Sequence, residues 1–283
     1  MMNPETYHYS FNTQYQMYKY RKIEQYAYLP DGRKVFRIEA LHDFGMIKKG
    51  SLGGFVENDD NLSHEGGCWI ADNAIAAGKS RVSGESLLAN RAMIDDYVKL
   101  TDNAVVRDDA TLRENVFIYG NATVGLQSVL AGVSTVCDHA IVLCEVRRSN
   151  SGKTKVPNVQ DDAIIRGLAR LEGPVFVRDH AVVEGNAIVR HHARLSEFAF
   201  VGYDAVIENF AHICGEARII QAGRVCDRSV ITQRACVLGK ATVQGKSYIT
   251  GRARIGGNAI VQSESIGGET WRGFTIFSRE IND

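Results

Sequence analysis

Five histidines lie beyond residue 67, at His139, His180, His191, His192 and His212. An imidazole takes up and releases a proton near neutral pH, so each is a candidate for acid–base work. A second chemical feature is the segment 146–156, in which Arg147, Arg148, Lys153 and Lys155 stand with no acid among them. Guanidinium and ammonium groups beside Gly and Ser suit an anion such as phosphate, because the cations pair with it and the small residues let the backbone approach. A solvated surface loop is the other reading of the same residues. Six cysteines are scattered without a C-x-x-C pair, which reads as reduced, half-buried residues rather than a disulfide framework.

The elements that must position these groups are legible from a period of six. From Cys68/Ile70 to Ala140/Val142 a small residue is followed two places later by an aliphatic one, thirteen times without a slip. The pattern resumes at Pro157/Val159 and runs for eighteen units to Ala259/Val261. Thirty of the thirty-one aliphatic positions are Ile, Leu or Val, Ala76 being the exception. A three-residue strand points its first and third side chains to one face, and the following Gly-, Asn-, Asp- and Arg-rich triplet turns a corner. The small and aliphatic positions therefore face inward and the middle residue outward. Such a period predicts a parallel β-helix. Residues 1–67 form a small N-terminal β cap, with strands over 18–28 and 34–41, and residues 263–283 a C-terminal cap containing Trp271, Phe274 and Phe277.

With its small-x-aliphatic units, the chain resembles the hexapeptide-repeat transferase superfamily. The resemblance implies an all-β, left-handed parallel β-helix of about ten coils over residues 68–262, interrupted by the basic loop at 146–156. Narrower likenesses, around His42, Asp43 and Phe44, then Gly53, Gly54 and Phe55, then His64, Cys68 and Trp69, are to the YdcK-type acyltransferases and phage-borne hexapeptide-repeat proteins. The function implied is an O- or N-acyltransferase that uses acetyl-CoA or another acyl-CoA as co-substrate. A histidine would act as base on the acceptor, and the basic loop would hold the phosphates of the coenzyme.

Register narrows the choice of base. If the insertion replaces one corner, His191 and His192 stand at that same corner two coils on, and His180 projects from the next edge. The order of candidates is His192, His191, His180. His139, His180 and His192 also fill a position where other units carry Asn, so each has a second reading as a turn residue tolerant of unusual φ. No metal is expected, because no His-x4-His occurs and adjacent His191 and His192 are poorly placed to share one ion.

On the face holding Ala140, the outward positions include Trp69, Leu87, Val105 and Ile141, an apolar stripe expected to join copies of the chain, as a trimer by resemblance. Lys and Arg (33) equal Asp and Glu (33), which removes any global charge for binding nucleic acid or a membrane. No stretch of about 18 apolar residues occurs, and the expected location is the cytoplasm. The alternative to an enzyme is a non-catalytic β-helical rod of bacterial or phage origin that binds a macromolecule along its flat faces.

Overall fold

The structure, a computed structural model, describes residues 18–144 and 158–267 and the backbone of the strand Thr275–Ile276. Apart from a single 3-10 turn at Asp59–Asn61, its regular elements are all β-strands. They wind as a left-handed parallel β-helix of about 11 turns. The first face is an 11-stranded sheet from Trp69–Ile70 to Ile260–Gln262. The second begins at Ile75–Ala76, passes the insertion through bridges from Leu130 to Val159 and from Val159 to Val177, and continues to Ser265–Ile266. The third runs from Arg81–Val82 to Thr275–Ile276.

Successive coils are in register at a sequence offset of 18, as in Val105 opposite Thr123 and Val106 opposite Val124. Across the insertion the offset is 29, with Ile141 opposite Arg170, so the eleven extra positions (29 − 18) add no rung. The small and aliphatic positions are fully buried, as at Ala104, Val106, Ala187 and Val189. Three sheets converge on this interior, and the alanines keep it narrow enough to close.

Each corner is a β-turn, as where Ala74 N–H donates to Ala71 C=O at 3.0 Å. Its first central residue has positive φ, and that position recurs at intervals of six: Asp72, Asp102, Asp138, Asp179, His191, Asp227. The left-handed residue is thus one place earlier than the Asn-rich position occupied by His139, His180 and His192, which corrects the turn reading of those three. His191, at φ 65°, is the histidine that holds it. Asp suits the site twice over. It tolerates the conformation, and its carboxylate accepts a backbone N–H from the next coil, Gly120 on Asp102 and Gly245 on Asp227. At Gly185 (φ 69°) a Cβ would lie 2.8 Å from the Tyr203 nitrogen, so glycine is required there.

The N-terminal strands β1 (Tyr20–Tyr28) and β2 (Lys34–Ala40) pair antiparallel, and β3 (Leu52–Val56) joins them to the stack by running parallel to Ile75–Ala76. The parallel stack of the second face therefore starts at β3. Lys19, 1% exposed, closes the open end of the first coil: its ammonium donates to the carbonyls of Gly66 at 3.2 Å and Cys68 at 2.9 Å, under the Phe44 ring. Phe44 also packs edge-on against Trp69, which is buried. That corrects its place in an exposed stripe, because its own N-terminal segment already covers it. Leu87, Val105 and Ile141 remain half-buried on the first face.

A larger side chain at an inward small position has nowhere to go. Ala205→Leu is expected to lower stability by about 1–3 kcal/mol through overpacking, read from chemical denaturation; an unchanged midpoint would mean that the interior is looser than these packed positions imply.

Candidate functional site

The corner histidines are built into columns of side chains in which vertical neighbours differ by 18 in sequence position, as Asn121 and His139 do. His180 lies with Nε2 3.3 Å from Asp162 Oδ2 and its ring stacked on Phe198, centroids 4.8 Å apart. His192 stacks on Phe210 at 4.8 Å, and Arg228 lies over the other member of that pair. His139 contacts the Asn121 amide nitrogen at 3.1 Å. His191 is exposed, its backbone N–H donating to Glu172 C=O at 3.0 Å. The corner of His191 and His192 is braced by Arg190, whose guanidinium reaches the buried Glu208 of the next coil at 2.7 Å, while Arg224 holds the other carboxylate oxygen. Burial works against the charge of Glu208, but the Arg224 and Arg190 guanidiniums outweigh it and hold its carboxyl below the ordinary range.

The fifth repeat histidine is placed differently. His212 occupies an outward middle position on the second face, directly in register with Arg194, which is in turn in register with Phe176. These three, with Gln160, Val177, Arg178, Leu195 and Ser196, line a pocket of about 330 Å³. The column sets three unlike side chains on successive coils: the Arg194 guanidinium lies over the Phe176 ring, 5.8 Å from its centroid, and His212 follows on the next coil. His212 is half-buried, and its Nε2 is 3.2 Å from the hydroxyl of Ser196, itself buried. Burial first, then the nearby charges of Arg194 and Arg178, push the His212 pKa below the ordinary histidine value. A neutral imidazole with one nitrogen fixed by a hydroxyl is a base near neutral pH, and two arginines beside it suit an anion or a developing negative charge.

Among the described residues, His180, His191 and His192 do not line this pocket. His180 with Phe198 and His192 with Phe210 instead stand on the corner columns at the two edges of the same face. Gln160 ties the pocket to the insertion, since it lies just past the point where the chain rejoins the second face. Arg147, Arg148, Lys153 and Lys155 lie outside the described residues. Also among the described residues, no group of three or more His, Cys, Asp or Glu side chains could hold a metal ion. Among the described residues no helix is long and apolar enough to cross a membrane.

No protein-family model matches the chain. Over 78 residues it is 38% identical to a protein of Escherichia coli (strain K12) named "Uncharacterized acetyltransferase YdcK". The match covers 25% of this chain and 24% of that protein, so the chain spans about a quarter of the length of this curated relative. The repeats and the wound parallel sheets fit a hexapeptide-repeat, transferase-like protein.

A depressed histidine pKa fixes a sign. As the pH falls, the unfolded chain takes up this proton first, near pH 6.5, so the stability attached to neutral His212 is whole above that value and drains away below it, through the lower folded pKa. In a histidine NMR titration the His212 ring is expected to titrate below the ordinary value. Arg194→Ala should raise that midpoint without restoring it fully, because burial remains; a midpoint unmoved by the substitution would remove Arg194 as a cause.

Proposed function

We propose that this hexapeptide-repeat β-helix protein is an acyltransferase that draws on an acyl-coenzyme A, acetyl-CoA in the first instance, and that the second-face pocket receives the acceptor. With its Nε2–H donated to Ser196 Oγ, His212 takes the proton from the acceptor hydroxyl or amine on Nδ1. The freed lone pair attacks the thioester carbonyl, and the bond to sulfur breaks as the imidazolium returns a proton to the departing thiolate, so that acylated acceptor and free coenzyme A leave together. Ser196 positions the ring. Arg178 and Arg194 offer charge either to an anionic group of the acceptor or to the oxyanion at the carbonyl. The basic segment with Arg147, Arg148, Lys153 and Lys155 would serve the coenzyme phosphates, since the chain returns from it one residue pair before Gln160.

The observation that carries this reading is His212, held by Ser196 in a pocket whose burial and arginines keep its imidazole neutral. The name of the E. coli relative supports the reaction class. His192, His191 and His180 are kept as alternative bases at the edges of the face, and a homotrimer joined through Leu87, Val105 and Ile141 of the first face is the assembly proposed. A second reading, a non-catalytic rod that binds a macromolecule, is favoured by the long unbroken columns of corner side chains.

The two readings part on one assay, thiol release from acetyl-CoA with a panel of anionic hydroxy and amino compounds as acceptors. Acceptor-dependent release is expected, falling roughly 10²- to 10⁴-fold in His212→Ala and within a few-fold of wild type in His192→Ala. Full activity in His212→Ala would move the base elsewhere, and no release with any acceptor, together with a flat acetyl-CoA binding titration, would leave the rod.

A further inference from the structure

The third face carries a second concavity, near the C-terminal coils. Arg218, Arg234, Arg252 and Arg254, with Ile220 and Cys236, line a groove of about 670 Å³. Arg218, Cys236 and Arg254 stand one above another in strand register, so the two arginine positions are about 10 Å apart along the axis, with a thiol between them. Arg252 follows Arg234 by one coil and holds the same corner position.

Arg234 follows the pairing used elsewhere on the rod, but the groove as a whole gathers more cations than that pairing accounts for. Charged columns on neighbouring coils set Arg beside acid, as in Arg91 with Asp109 at 2.6 Å, Arg166 with Glu184, and Arg190 with Glu208 at 2.7 Å. In the groove Arg252 stands one coil from Arg234 on a corner column, and Arg218 and Arg254 flank Cys236 on the strand column, so four guanidiniums share one concavity. Arg81 opposite Lys99, lower on the same face, also sets like charges together, but with two cations rather than four. The groove arginines are also anchored: Arg218 lies over the Phe200 ring at 4.7 Å, and Arg234 is held by Glu216 at 2.9 Å. Cations gathered in one groove and anchored from behind are preorganised for an anion that bridges them.

We propose that this groove is a binding site for a ligand bearing a diphosphate, whose two phosphoryl groups are taken by guanidinium forks from the three successive coils that carry Arg218, Arg234 and the pair Arg252 and Arg254. A diphosphate suits the site better than a single phosphate, because the cations recur at successive rungs and each planar fork matches two phosphoryl oxygens. A long polyanion suits it less. Down the same column from Arg218 the outward residues are Phe200 and Val182, so the cationic stretch is only a few rungs long. The site is on a different face from the His212 pocket and does not depend on the acyl-transfer reading. The same diphosphate chemistry could come from a nucleoside diphosphate or from a coenzyme that contains one.

The test is isothermal titration of inorganic pyrophosphate into the full chain at physiological ionic strength, beside Arg218→Ala/Arg254→Ala and His212→Ala. Saturable binding is expected in wild type and His212→Ala, with at least a tenfold loss in the double arginine variant and much weaker binding of orthophosphate. Parallel titrations with ADP and coenzyme A tell the two sources apart, and tighter binding of either than of pyrophosphate supports the site and names its carrier. On the unmutated chain, pyrophosphate should slow alkylation of Cys236, read by peptide mass, so the result does not hang on the variant folding. Failure of pyrophosphate to saturate the protein, an affinity equal to that for orthophosphate, or unchanged binding and unprotected Cys236 would each overturn the proposal.

Discussion

Coil-to-coil hydrogen bonding at a constant sequence step, one coil of three repeats, is the constraint on which the rest of this molecule depends. Thr123 N–H donates to Ala140 C=O, Val182 N–H to Ala199 C=O and Arg224 N–H to Ala241 C=O, each at 2.9 Å. Because the step is constant, every outward side chain acquires two neighbours of known sequence position, and the surface becomes a set of vertical columns. Each coil touches mainly the ones above and below, so stability accumulates from nearest-neighbour contacts rather than from one central core. The carboxylates at the left-handed corner residues strengthen the same step from outside, and the alanines inside set how closely the three sheets converge.

Columns also explain why chemistry is confined to a few places. Where neighbours in a column match, as in the His180–Phe198 and His192–Phe210 stacks, the side chains pack on one another. Where they do not match, the surface opens. The Phe176, Arg194, His212 column sets a ring, a guanidinium and an imidazole on successive coils and lines a pocket; the Arg218, Cys236, Arg254 column puts a small residue between two long cations and lines a groove. The features that distinguish this rod from a bare scaffold are thus breaks in column matching rather than breaks in the repeat.

The fold was legible in the sequence because a period of six over thirty-one units specifies the inward and outward positions residue by residue, and even the insertion's neutrality to the register could be read from it. The corner conformation was legible only to within one residue: Asn recurs just before the inward alanine, but the turn geometry puts positive φ on the residue before that, where Asp and Gly recur. His212 was harder to single out. Corner histidines attract notice because corners project, whereas His212 sits where β-favouring residues ordinarily stand. The signal was its position, since it is the one repeat histidine at an outward middle site. What makes it a candidate, the Arg194 guanidinium in its column and the buried Ser196 hydroxyl beside it, depends on side-chain conformations that periodicity does not encode.

The buried ammonium of Lys19 has a consequence for the behaviour of these rods in a crowded solution. A parallel β-helix ends in a ring of unpaired backbone groups that could template another coil from a second molecule, the route by which stacked strands grow into fibres. Here the carbonyls of Gly66 and Cys68 are already engaged by a charge held out of water, and the antiparallel pair β1 and β2 lies across the start of the second face. Accretion at that end would have to displace a desolvated cation and a hairpin together, so the N-terminal segment acts as a terminator of linear polymerisation as well as the beginning of the chain.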